Sequence, residues 1–279
     1  MLNIARLLIV IVFGVISQRA AVAEGNFKSP DILVLGDSQL SFGAGVAFVE
    51  FFKSIEGSCG IKRGSSVGVL GVRSSSLTAW TANDAGGKKS ICDIDPKWKV
   101  NAGSFGVINQ TKNKYVQIGQ GEAYQFCEAG QSPFQSMFAD GYYNPKLFVM
   151  FFLGNATERW ANSAADAQFD VERTVRDLPP GMPCVFMTTA PAYTEKVVRQ
   201  RQQAQANIEK AFVTSGKRCS FVRGYTPSTV GANLGNAANF RRKPDGSVKD
   251  PYHPTEDSAR QFLSLVKADL CNAIQKQLK

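Results

Sequence analysis

Short apolar runs bounded by turn residues recur along the chain, and stretches with helical spacing lie between them. Asp31-Ile32-Leu33-Val34-Leu35 runs into Gly36, the pattern of a buried strand whose carboxyl end feeds a turn. From Phe42 to Ile55 the apolar residues Val46, Val49, Phe52 and Ile55 recur as on one face of a helix, and the pattern stops near Gly57. Four further strands are predicted at Val67–Leu70, Leu147–Leu153, Val185–Thr188 and Ser220–Val222. Helices are predicted over 163–178 and 194–215, with Gly216 placed as a left-handed residue after the second. A last helix begins at Thr255, whose hydroxyl can cap it while Glu256 and Asp257 favour the positive end of its dipole, and it runs to about Gln277. Strands that alternate with helices predict a parallel sheet covered on both faces. The expected class is α/β: a three-layer α/β/α sandwich with a mainly parallel, five-stranded sheet.

Two stretches interrupt the alternation. Residues 81–132 are too long for a simple crossover and mix turn residues with β-prone pieces such as Tyr115–Ile118, which predicts an inserted hairpin or decorated loop. Residues 224–249 are rich in Gly, Asn and Pro, and predict a long loop that arrives at Asp250 and His253. The amino terminus has the form of a signal peptide over residues 1–23: Arg6 as positive flank, an apolar run from Leu7 to Ile16, and Ala21-Val22-Ala23 as a small-residue cleavage site. Ser17, Gln18 and Arg19 cut that run short of a membrane span, so no stable transmembrane anchor is expected. What remains, 24–279, is the length of one domain with a full core. The expected location is periplasmic or secreted.

The six cysteines, Cys59, Cys92, Cys127, Cys184, Cys219 and Cys271, all follow residue 23, and an even number in an exported chain favours disulfides. Cys184 and Cys219 each open a predicted strand and form the leading pair; Cys92 and Cys127 are positioned to staple the insertion. None forms a C-x-x-C pair, and one histidine with scattered carboxylates offers no metal-ligand spacing, so neither metal nor other cofactor is expected. With 32 basic and 23 acidic residues the chain carries +9. That balance favours anionic partners such as an acidic polysaccharide or cell wall. The basic residues are scattered, with Arg241-Arg242-Lys243 the tightest cluster and no aromatic residues interleaved, which is not a nucleic-acid-binding pattern.

Chemistry concentrates on the lone histidine, His253, in Asp250-Pro251-Tyr252-His253-Pro254, and on Gly36-Asp37-Ser38-Gln39-Leu40 far upstream. A serine hydroxyl is a weak nucleophile until a base takes its proton, and an imidazole oriented by a carboxylate is the usual base. Taken alone, a histidine in a proline-pinned turn is more often structural. The other polar candidates change that reading, because each sits at a predicted strand end, where ligands bind in doubly wound sheets. Ser38 follows the first strand, Gly71 the second in Gly68-Val69-Leu70-Gly71-Val72-Arg73-Ser74-Ser75, and Asn155 the third in Phe152-Leu153-Gly154-Asn155.

The order Ser, Gly, Asn, His resembles the four blocks of the SGNH hydrolase superfamily, the GDSL-type esterases and lipases, over nearly the whole of residues 31–279. The resemblance implies Ser38 as nucleophile, His253 as general base and Asp250 as its orienting carboxylate. Gly71 through its N–H and Asn155 through its amide would join the Ser38 N–H as oxyanion donors. The third block departs from the family pattern: Gly154 directly precedes Asn155 and Ala156 follows, where the family has Gly two residues earlier and Asp after. The implied activity is an exported esterase that removes O-acyl groups from a glycan or related small ester. A polysaccharide O-acyltransferase using the same triad, a lipase, and a catalytically silent glycan-binding protein stand as alternatives.

Overall fold

A computed structural model describes residues 29–82, 105–107, 130–139, 143–215 and 218–279. The expected signal peptide, the piece 115–118, Cys92, Cys127 and Gly216 lie outside the described residues.

Five strands run parallel: β1 (Ile32–Gly36), β2 (Val67–Gly71), β4 (Leu147–Phe151), β5 (Cys184–Met187) and β6 (Ser220–Val222). The order across the sheet is β3-β2-β1-β4-β5-β6. β3 (Phe105–Val107) adds an antiparallel edge to β2 and comes from the stretch read as an insertion. The four central strands are buried along their length, so their sequences are nearly continuous apolar runs.

The side-chain alternation of β1 defines the layers. Ile32 and Val34 face a core built with α1 (Gly45–Ser54) and two C-terminal helices, α8 (Glu256–Leu265) and α9 (Lys267–Leu278). Leu33 and Leu35 face the opposite core. That side is covered by α2 (Leu77–Thr81), α3 (Pro133–Phe138), α4 (Thr157–Asn162), α5 (Ala164–Asp177) and α6 (Glu195–Thr214). The result is the three-layer α/β/α sandwich. A buried polar knot ties the second layer: Asp170 Oδ2 of α5 accepts from Thr78 Oγ1 of α2 at 2.7 Å, and from Arg159 Nη1 and Trp160 Nε1 of α4 at 2.5 and 2.8 Å.

Two disulfides are described. Cys184–Cys219 joins the starts of the neighbouring strands β5 and β6, the pair expected from the sequence. Cys59–Cys271 ties the loop after α1 to α9.

Three local readings change. The last helix breaks at Val266, whose φ of −98° and ψ of 4° leave the helical range; Val266 is itself buried against the α1 side of the sheet, and neither Gly nor Pro marks the break. The helix expected from Phe42 begins instead as a wide π-type turn, Leu40–Ala44, in which Gly43 takes a φ of +141°. The stretch 224–249 is not a bare loop. It carries α7 (Pro227–Asn233), capped by Thr226, and a small hairpin with a bridge from Arg242 to Val248.

Among the described residues, no helix is long and apolar enough to cross a membrane.

Candidate active site

The carboxyl edge of the sheet collects the residues singled out from sequence. β1 ends at Gly36, a position where a Cβ would lie 2.5 Å from the Phe151 carbonyl of the adjacent strand. Only glycine lets the strands stay paired there while the chain turns into Asp37 and Ser38. Asp37 is buried, and its Oδ1 accepts the Gln39 N–H at 2.9 Å, which holds the turn that presents Ser38. Burial pushes the Asp37 carboxyl above its ordinary range, opposed by the Gln39 N–H and the positive charge of Arg201.

His253 arrives on the segment before α8. Asp250 uses both oxygens on it: Oδ1 accepts the backbone N–H groups of Tyr252 and His253 at 3.0 and 3.2 Å, and Oδ2 lies 2.7 Å from His253 Nδ1. On the far side of the ring, His253 Nε2 lies 2.8 Å from Ser38 Oγ. An ionised carboxylate only accepts, so the imidazole hydrogen belongs on Nδ1 and the Nε2 lone pair faces the serine hydroxyl. Ser38, Asp250 and His253 are each partly exposed, so a ligand can reach the chain of bonds.

Neighbours pin this turn at several points. Tyr193 N–H donates to the Pro251 carbonyl at 2.9 Å, Thr255 N–H to the Asn239 carbonyl at 2.9 Å, and Phe240 bridges to Pro254. Gln39 is the most connected. Its Nε2 donates to the Tyr252 and Ala190 carbonyls at 2.9 and 3.1 Å, and its Oε1 accepts the Ala190 N–H at 3.0 Å. One side chain thus joins the serine turn, the segment after β5 and the residue beside His253. Phe42 packs against the imidazole with ring centroids 4.6 Å apart.

The other two expected residues lie nearby in different settings. Asn155 is exposed on a short turn, Gly154–Ala156, after β4, and its Nδ2 donates to the Ser75 carbonyl at 2.8 Å. One amide hydrogen is thereby fixed, which orients the second. Gly71 is the last residue of β2. Its carbonyl accepts from Ser41 Oγ at 3.0 Å, and a Cβ on it would meet Leu40 Cβ and Ser41 N at 2.9 Å. Gly71 is therefore a site of close approach between β2 and the serine turn.

Sequence reasoning overlooked Gln39, Phe42 and Arg201. Arg201 of α6 is buried, donates from Nη1 to Tyr225 Oη at 3.2 Å, and lies 5.8 Å from the centroid of the Tyr252 ring. Its spacing with Val198, Ala204 and Ile208 was the available signal, because i, i+3 and i+7 share a helix face. Burial pushes the Tyr225 hydroxyl pKa up, and Arg201 opposes that shift. Among the described residues, no group of three or more His, Cys, Asp or Glu is arranged to hold a metal.

No family model matches the sequence, and no curated protein does. Among solved structures, the chain is similar to a gut microbial diltiazem-metabolizing enzyme, at 12% identity and a TM-score of 0.47, covering 88% of this chain and 48% of that one. It is also similar to the salicylyl-acyltransferase SsfX3 from a tetracycline biosynthetic pathway, at 12% identity and 0.46, covering 87% and 55%. A DUF4886 family protein from Bacteroides uniformis matches at 12% identity and 0.43, covering 90% and 93%. The chain spans about half the length of the first two. The chemistry rests on this chain's own residues.

Proposed function

We propose that this protein is an exported serine esterase of the SGNH/GDSL type that removes O-acyl groups, acetyl foremost, from a glycan or related small ester. The observation that carries the reading is the continuous bond from Asp250 through His253 to Ser38, at 2.7 and 2.8 Å. A carboxylate that orients an imidazole against a serine hydroxyl in this way serves attack on a carbonyl carbon. Ser38 Oγ bonds to the acyl carbon as its proton passes to His253 Nε2, and the carbonyl electron pair moves onto oxygen. The free amide hydrogen of Asn155 and the Ser38 N–H meet that charge; Gly71 is the third proposed donor. Collapse of the intermediate breaks the ester C–O bond, and the proton on Nε2 goes to the departing alcohol. Water then repeats the sequence on the acyl-enzyme and releases the acid. Asp250 keeps its negative charge throughout and stabilises the imidazolium.

Export is part of the proposal, supported by the amino-terminal apolar run of the sequence and by the two disulfides. A stopped-flow burst of p-nitrophenol from p-nitrophenyl acetate tests the acyl-enzyme. It is expected in the wild type and absent in Ser38→Ala; a wild type as inert as the variant overturns the esterase. Following the acyl group by mass spectrometry with acetylated and free glycans then assigns hydrolysis or transfer: release as free acid supports the esterase, and appearance on the glycan supports the O-acyltransferase.

A further inference from the structure

Beneath the serine turn lie a buried aspartate and a buried arginine that are not members of the triad, Asp37 and Arg201. A Cβ built on Gly154 would stand 3.4 Å from Asp37 Oδ2 and 3.3 Å from Arg201 Nη2, so both groups lie against the backbone that leads into Asn155. From there Arg201 reaches the other elements of the site. Its Nη1 donates to Tyr225 Oη at 3.2 Å, and Tyr225 Oη donates to the Ala190 carbonyl at 3.3 Å, which also accepts from Gln39 of the serine turn. Its Cζ stands 5.8 Å from the ring centroid of Tyr252, the residue before His253. Arg201 Nε is buried and has no hydrogen-bond partner among the described residues, so hydrogen bonding alone does not account for a guanidinium at this place.

Charged side chains are seldom buried unless another charge answers them, and removing one partner leaves the other uncompensated. Burial pushes the Asp37 carboxyl toward protonation; the Gln39 N–H, the charges of Arg201 and His253, and the Leu153 backbone oppose it. The titratable and charged groups that act on Asp37 thus come from α6 through Arg201 and from the turn before α8 through His253, while Tyr225, after β6, feels both Arg201 and Asp37. Asp37 in turn accepts the Gln39 N–H on Oδ1 and holds the turn that presents Ser38. We infer that Arg201 is a positioning residue: from beneath Gly154 its guanidinium balances the Asp37 carboxylate and so fixes the Ser38 turn and the Asn155 amide relative to one another. It acts through Asp37 and Gly154, not on the ester. Its effect on rate rests on the esterase reading; its coupling to Asp37 does not. The same arrangement accounts for a glycine directly before Asn155, since a side chain there would meet both groups.

A double-mutant cycle tests this: wild type, Arg201→Met, Asp37→Asn and the double variant. Removing the guanidinium raises the folded-state pKa of Asp37 further above the unfolded value of about 3.9, and a carboxyl raised in this way loses stability as pH rises from the unfolded toward the folded value. The fall in urea midpoint caused by Arg201→Met therefore widens as pH is raised from about 4 when Asp37 is present, and is independent of pH in the Asp37→Asn background. With p-nitrophenyl acetate, Arg201→Met lowers kcat about tenfold to a hundredfold, the scale of a misplaced reacting group, while KM is nearly unchanged. The acid side of its pH profile moves to higher pH, because the uncompensated Asp37 takes up a proton sooner. Arg201→Lys keeps the charge: its urea midpoint follows pH as the wild type's does, and its kcat lies below wild type and above Arg201→Met with KM held. That variant also covers the case in which Arg201→Met does not fold. A midpoint deficit independent of pH in both Asp37 backgrounds, or an Arg201→Lys enzyme with unaltered kcat and raised KM, overturns the positioning role and leaves the esterase standing. A deficit that widens with pH in a protein whose wild type cleaves no ester keeps the Arg201–Asp37 coupling and removes the esterase.

Discussion

Replacing Gln39 by leucine keeps the side-chain bulk and removes three hydrogen bonds, so it isolates what that amide does. Two of the three partners recover: the Ala190 carbonyl retains the Tyr225 hydroxyl at 3.3 Å, and the Tyr252 carbonyl belongs to an exposed residue that water can reach. The Ala190 N–H does not, because Ala190 is 2% exposed and Gln39 Oε1 is its acceptor at 3.0 Å. An orphaned buried donor costs about 1–3 kcal/mol. The expected loss is about 2 kcal/mol, which for a domain of this size is roughly a 4–8 °C fall in Tm. Because Gln39 also ties the serine turn to the residue next to His253, kcat for p-nitrophenyl acetate falls by more than a destabilised but folded enzyme would show. KM changes little. Urea titration and initial rates well below Tm check the two effects separately. A Gln39→Leu protein within about 0.5 kcal/mol of wild type, with unaltered kcat, refutes the bridging role.

Three further outcomes are expected. Gly71→Ala lowers both stability and rate, since its Cβ must displace Leu40 and the Ser41 backbone and so moves the serine turn; overpacking of this kind costs about 1–3 kcal/mol, read by thermal melts alongside the rate assay. Asp170→Ala strips the shared acceptor from Thr78, Arg159 and Trp160 in a buried site and lowers stability by about 3–5 kcal/mol in urea titration. For Asp31, burial alone would raise the pKa, but Lys146 at 2.7 Å and the N–H and hydroxyl of Ser66 outweigh it and hold it at about 2. Its folded-state pKa is below the unfolded value of about 3.9, so the stabilisation is complete above that value and is lost as pH falls through about 2. Asp31→Asn is therefore less stable than wild type at pH 6, by a margin that narrows as the urea midpoints are measured at successively lower pH; a margin independent of pH contradicts the ionic origin.

Local patterns were legible in the sequence, and long-range ones were not. The strands could be read because both faces of the sheet are covered, which forces continuous apolar runs at Ile32–Gly36 and Leu147–Phe151. The Asp250–His253 bond could be read because the two residues stand three apart in one turn. Cys184 and Cys219 paired as expected because each stands at a strand start and the strands are neighbours, whereas Cys59 and Cys271, 212 residues apart, carry no such marker. Gln39 reads as a neutral variation beside the serine until Ala190 and Tyr252, distant in sequence, close on it. Gly43 shows why the first helix did not start where its periodicity began: its φ of +141° brings the turn against α8, where a Cβ would meet the Glu256 N at 3.1 Å. Phe42 belongs to the same class: Arg73 and Arg241, from two other segments, stand 4.1 and 5.1 Å from its ring centroid.

The central claim is that His253 makes Ser38 a nucleophile, and covalent trapping tests it most directly. The protein is incubated with a p-nitrophenyl alkylphosphonate, and its mass is measured intact and after proteolysis. The account predicts one phosphonyl group per chain, on the peptide containing Ser38, with labelling slowed by orders of magnitude in His253→Ala. Labelling elsewhere, or at Ser38 with an undiminished rate in the His253 variant, contradicts it.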